Sequence, residues 1–337
     1  PELLFPNSNT RGILKYGVYL SDDPDFPRDG TNDVSGLLNR RLQFWYNAGI
    51  HIVNVTNFRY KIGTNVTMPA GMRFVIHEGA RLSIDSGVTL SGEIVAGAYQ
   101  VIEGSGTLNL TGDAQDVYAD WWLSSATDTT GFQAAVNAVD GTKHTMLLSP
   151  KTYTLDKITA STGIRVIGSH ESLSTLKLTD ETANDKFFDC AGDVIFRDLV
   201  LDINKDNQNT ARPDGIYFDG DSLTAENVHF TNIKASGINC ENATKSAKIR
   251  RCRFDEFALH GGLLNEVSRA CRLASSSDEC EMWFQDNEVI GPDRVPDGLN
   301  PFVLIFPQGK NQSVTITSIR ASVSVTEIAS STTISRH

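Results

Sequence analysis

"DGIYFDGDSLTAENVHFTNIKASGINCENATKSAKIRRCRFD", Asp214–Asp255, contains one short pattern twice. A small residue and glycine come first, then apolar residues alternate with polar ones: Ile216 and Phe218, then Ile238 and Cys240. A second apolar set follows each: Leu223, Ala225, Val228 and Phe230, then Ala247, Ile249, Cys252 and Phe254. Outward from this stretch, "VIFRDLVLD" from Val194 and "MWFQDNEVI" from Met282 repeat the second set. Gly215, Gly237, Gly261 and Gly298 mark the pattern at separations of 22, 24 and 37 residues. A period of this size, with short strands in each repeat, is the mark of a solenoid. Its strands must run parallel, and no helical crossovers lie between them. The fold class predicted is therefore all-β, a right-handed single-stranded parallel β-helix whose coils stack at ~4.8 Å. Each glycine would turn one corner of successive coils. The widest separation predicts a loop insertion near 264–280.

The rest of the chain fits this architecture. Two stretches have helical spacing: Asp33–Tyr46, with Leu38, Leu42 and Trp45 on one face, and Thr130–Val139, with Phe132, Val136 and Val139. Each heads a similar unit of acidic turn, short helix and three strands, and each would cap exposed strand edges. The expected organisation is an N-terminal extension over 1–28, a small β domain with capping helix over 29–119, and the β-helix domain over 120–337. Residues 303–337 alternate well and read as final coils or a piece that stabilises an oligomer.

Composition excludes several classes. The chain has 337 residues, with 30 basic and 41 acidic side chains, a formal charge of −11. Nucleic-acid binding needs clustered Lys and Arg, so no nucleic-acid partner is expected. The longest apolar run, "FVLIF" at 302–306, is far too short for a membrane span. The five cysteines are irregularly spaced and form no CxxC pair, so buried free thiols are expected, with a Cys271–Cys280 bridge left open. No metal site and no cofactor are expected.

"DWW" at 120–122, "TDT" at 127–129, "QAA" at 133–135 and "SPKTY" at 149–153 occur in order. Together they resemble the pectate-lyase-like β-helix superfamily, in particular the branch found in bacteriophage tailspikes. They stand for its Glu-Trp-Trp, its Asp-rich turn, its helix and its Pro-Gly-Thr-Tyr strand. The resemblance covers 29–170, and the remainder in period alone. "LSSATDT" departs from the family's glycine-rich turn, where the family holds no catalytic residue. The resemblance implies a homotrimeric tailspike on the virion, attached through its N-terminus to phage tail or baseplate proteins. Such a spike binds a bacterial surface polysaccharide, capsule or lipopolysaccharide O-antigen, and hydrolyses it. A binding-only spike or adhesin, a polysaccharide lyase and a secreted bacterial protein are the alternatives.

Glycoside hydrolysis needs two carboxylates, ~5–5.5 Å apart in retaining enzymes and ~6.5–9.5 Å in inverting ones. Alternation places Tyr217, Asp219, Asn239 and Glu241 on the outside. The expected register sets Asp219 over Glu241 as catalytic pair and Tyr217 over Asn239 as sugar contacts; a solvated acidic ladder is the alternative. Asp214 joins the catalytic candidates and His260 the binding ones; they share the corner column two coils apart, ~10 Å, and resemble the Asp-Gly and His-Gly elements of polygalacturonases, although "SGINCEN" stands where an Asp-Asp element is expected between them. A turn-forming Asp214 is the competing reading. Trp283 faces outward as a stacking platform. Arg197, Glu226 and Arg250 should stack as a charge ladder beside His229 and Arg253, with Arg253 a candidate for an acidic glycan.

Overall fold

The computed structural model describes residues 17–180, 182–208, 211–257, 269–275, 277, 279–290, 303–307, 313–317 and 320–321. The protein is mostly β, with long parallel sheets and few helices. It divides between Ser124 and Ser125 into two compact units.

In the first unit two parallel ladders run side by side in sequence. Val18–Tyr19, Ile52–Val55, Arg73–Ile76, Thr89–Val95 and Thr107–Leu110 form one; Asp29–Asp33, Arg59–Ile62, Arg81–Ile84 and Ile102–Gly104 form the other. Helix α1, Ser35–Asn47, buries Leu38, Leu42 and Trp45, the face its spacing predicted. Leu20 and Phe26 are also buried, Phe26 stacked on Trp45. Trp121 is buried and donates its indole N–H to the Gly97 carbonyl at 2.9 Å.

In the second unit the strands fall on three parallel ladders. The first aligns Met146, Val166, Phe196, Ala225, Ile249 and Phe284 as one buried column. The second aligns Tyr153, Leu176, Leu201, Phe230, Phe254 and Val289. The third aligns Ile158, Phe188, Ile216, Ile238 and Cys271. Like residues stack on like because parallel pairing repeats the side-chain phase at every step. Val303–Pro307, Ser313–Thr317 and Arg320–Ala321 extend the third, first and second ladders in turn, as final coils would.

Helix α2, Thr129–Val139, packs on the first strands of this unit. Asp128 caps it by accepting from Gly131 N–H at 2.8 Å. Gln133 then takes the place of a missing strand. Its amide accepts from Thr159 N–H at 2.9 Å and donates to Thr159 C=O at 2.8 Å. Asp140 accepts from the N–H groups of Ser161, Thr162 and Gly163. The backbone groups an edge strand would expose are thereby satisfied.

The corners differ from expectation. Gly215 and Gly237 do not turn them; they lie within the strands Asp214–Thr231 and Ser236–Arg250. These glycines answer close approach instead: a Cβ on Gly215 would stand 2.6 Å from the Gly237 carbonyl oxygen. The chain turns between the first and second ladders at Asp198, Asn227, Arg251 and Asp286, whose φ values are 56°, 55°, 51° and 53°. The short polar side chains of Asp198, Asn227 and Asp286 tolerate this left-handed conformation and can bond locally; Asn227 Nδ2 donates to Asp198 Oδ1 at 2.7 Å. Within the loop expected near 264–280, Arg269–Ser275 is a strand of the third ladder, because Cys271 and Leu273 continue its buried face; 264–268, 276 and 278 lie outside the described residues. Cys271 and Cys280 are both free, as are the other three cysteines. His260, Gly261 and Asp297 lie outside the described residues.

Candidate functional site

The outward face of the third ladder collects most of the predicted residues. Ile216, Phe218, Ile238 and Cys240 are buried, so alternation turns Tyr217 and Asn239 outward. Tyr217 pairs with Asn239, as the register required. Asp189 continues this column on one side and Arg272 on the other. In the neighbouring column Lys186 pairs with Asp214, and Ser236 with Arg269.

The expected stacking of Asp219 on Glu241 is corrected. Phe218 pairs with Cys240, but Asp219 pairs with Asn242, which leaves Glu241 as an extra residue in its strand. A bulge of this kind swings the extra side chain away from the ladder. Glu241 Oε1 lies 2.5 Å from Arg272 Nη1 instead. The same nitrogen donates to Asn239 Oδ1 at 3.2 Å, and Asn239 Nδ2 donates to Asp214 Oδ2 at 2.7 Å. Asp214 and Glu241 are therefore joined through one amide and one guanidinium. Asp214 bonds across the ladder rather than to its own turn.

The electrostatics separate these acids. Burial raises the Asp214 carboxyl above its ordinary range, against hydrogen bonds from Asn239 and Ser236 and the charge of Arg269. Burial would also raise Asp189, but Lys157 at 2.7 Å and Lys186 at 3.3 Å outweigh it and hold Asp189 low. The Tyr217 hydroxyl is raised by burial and then by the surrounding carboxylates Glu241, Asp219, Asp189 and Asp214. Lys186 Nζ sits 3.3 Å from the centroid of the Tyr217 ring. Arg269 is lowered by burial and by neighbouring Arg272, with Asp214 opposing.

The remaining candidates lie elsewhere. Trp283 belongs to the first ladder, opposite Lys248, with the Arg250 guanidinium 4.2 Å from its ring centroid. Arg197, Glu226 and Arg250 do stack there, although Glu226 takes its close ion pair from Arg251. Arg253 belongs to the second ladder, opposite His229. His260 is outside the described residues. Asp189, Lys186, Arg269 and Arg272 were missed. Asp189 sits between buried Phe188 and Cys190, and Arg272 between Cys271 and Leu273, so the same alternation could have found both.

Among the described residues no group of three or more His, Cys, Asp or Glu side chains could hold a metal ion. No helix of the described residues is long and apolar enough to cross a membrane.

No family model and no curated protein matches the chain. A proposed glycosyl hydrolase from Parabacteroides merdae ATCC 43184 is similar at 12% identity, covering 68% of this chain and 92% of that one, with a TM-score of 0.18. PfbA, a surface adhesin of Streptococcus pneumoniae, is similar at 12% identity, covering 90% of this chain and 80% of that one, with a TM-score of 0.27. Likeness at these scores does not bear on the chemistry of the Tyr217 face.

Proposed function

We propose that the second unit is a right-handed parallel β-helix whose Tyr217 face binds and hydrolyses a bacterial surface polysaccharide. Three ladders of parallel strands, visited in the same order along the chain, support the winding. The observation that carries the chemistry is the wired pair of acids. Asp214, with its carboxyl raised, is the general acid that protonates the glycosidic oxygen. Glu241, paired with Arg272, is the carboxylate that acts on the other side of the bond. An amide and a guanidinium intervene, which favours the wider inverting arrangement with space for a water. Tyr217 and Asn239 orient the sugar. A homotrimeric phage tailspike, held to the virion by its N-terminus, is the molecular setting proposed.

A binding-only spike is the second reading, and one observation favours it: Lys186 covers a face of the Tyr217 ring, and Arg272 already engages Glu241. A reducing-end assay on capsular and O-antigen polysaccharides separates the two. Hydrolysis predicts new reducing ends from the wild type and at least a hundredfold loss in Asp214→Asn. Binding without release selects the spike, and an unsaturated product absorbing in the ultraviolet selects a lyase.

A further inference from the structure

The corner between the first and second ladders is one left-handed residue long at Asp198, Asn227, Arg251 and Asp286. One step earlier it is a loop, residues 168–174, between the strands Arg165–Ile167 and Thr175–Leu178. Buried Ser174 closes this loop at its base, donating to the Leu148 and Ser149 carbonyls at 3.2 and 3.0 Å. Glu171 and Ser172 at its tip are exposed, and they line a cleft of about 590 Å³ with the corner residues below. That volume is in the range of small-molecule sites, roughly 300–1,000 Å³.

The walls are polar and of mixed charge. Glu171, His229, Arg251, Arg253, Asp286 and Glu288 supply most of the lining. The cations are engaged from behind. Arg251 pairs with Glu226, Arg253 Nε lies 2.9 Å from Asp255 Oδ2, and Arg253 Nη1 also lies 4.0 Å from Glu288 Oε2 in the wall. The same Asp255 oxygen accepts from His229 Nε2 at 3.0 Å. Burial would raise Asp255, but the bonds from His229, Thr231 and Arg253 outweigh it and hold the carboxyl at about 2. An ionised acceptor fixes the proton on His229 Nε2 and orients the ring. By contrast, the Glu171 and Asp286 carboxylates have no hydrogen-bond or ion-pair partner among the described residues.

Each ligand class meets this cleft differently. An anion would face three carboxylates and guanidiniums that are already paired. A metal ion finds no group of three His, Cys, Asp or Glu ligands among the described residues. An apolar molecule would strip water from charged walls without compensation. A neutral polyhydroxylated ring fits, because its hydroxyls donate to the open carboxylates and accept from the outer N–H groups of Arg251 and Arg253.

We propose that the cleft beneath the 168–174 loop is a second carbohydrate site, selective for a neutral pyranose and separate from the Tyr217 face. It requires no hydrolysis and stands whether or not Asp214 is a catalyst. Saturation-transfer NMR on the full chain tests it, with the methyl glycosides of glucose, galactose, mannose and N-acetylglucosamine, and glucuronate and phosphate as anionic probes. At least one neutral glycoside should receive saturation. In the Tyr217→Ala background, which disables the other face, the signal should vanish in Ser172→Trp, which fills the mouth from an exposed loop, and Kd should rise at least tenfold in Asp286→Asn. Asparagine tolerates the left-handed backbone there, so Asp286→Asn keeps the fold. Tyr217→Ala alone should keep the signal. No transfer to any neutral glycoside overturns the proposal, as does a signal that survives Ser172→Trp in the Tyr217→Ala background, one lost in Tyr217→Ala alone, or binding of the anionic probes alone.

Discussion

Asp214 makes a prediction that separates catalysis from folding. Its carboxyl is raised by burial, while Asn239 donates to Oδ2 at 2.7 Å and favours the charged form. Removing that donor in Asn239→Ala raises Asp214 further. As the proposed general acid, Asp214 would work while protonated, so activity would fall as pH rises through its pKa. The alkaline limb of kcat/KM should therefore move to higher pH in Asn239→Ala. The stability sign is the reverse of that for an ordinary ion-paired aspartate. With a folded pKa above the unfolded one, ionisation penalises the folded state as pH rises above the ordinary carboxylate range. Asp214→Asn should then keep or raise Tm at neutral pH while lowering the proposed turnover at least a hundredfold. A loss of several degrees in Tm would show instead that Asp214 is a structural acid.

At the scale of the strand, alternation was legible and its interruption was not. Ile216, Phe218, Ile238 and Cys240 are buried as the period of two requires. The bulge at Glu241 has its own trace, since the next buried residue after Cys240 is Ala243 and not Asn242. A single small residue is a faint signal, and one extra residue was enough to misplace the carboxylate pair. The glycines misled for a different reason. Sequence shows where glycine is needed but not why, and a corner and a close approach look the same until the neighbouring strand is known. The distinction is measurable. A Cβ at position 215 would meet the Gly237 oxygen at 2.6 Å and Ile203 Cδ1 at 2.8 Å, so Gly215→Ala should cost about 1–3 kcal/mol by overpacking. Gly36, in α1, has nothing within 4 Å, and Gly36→Ala should stabilise by up to about 1 kcal/mol. Urea titrations of the two variants check both signs.

For the whole molecule, the period of the second unit was readable because each repeat buries the same positions, and the third dimension repeats the sequence. What remained hidden was long-range chemistry such as the Arg272–Glu241 pair, which depends on register between strands rather than on any local motif. The same repetition makes stability a sum over neighbouring repeats, so such a body opens from an end. Five free thiols are distributed along it, all buried. Burial pushes Cys240 and Cys252 up to about 12 and raises Cys190, Cys271 and Cys280 as well. A thiol held in this state is neither exposed nor ionised, so none should react with a maleimide in native buffer. At the α2 end, Gln133 and Asp140 satisfy the edge-strand backbone, which opposes opening there. Opening should therefore begin at the opposite end. In urea below the midpoint, pulsed maleimide labelling read by mass spectrometry should modify Cys280 and Cys271 first, then Cys252 and Cys240, and Cys190 last. Simultaneous labelling of all five would instead mean that the ladders melt as one cooperative block, with no end from which to unwind.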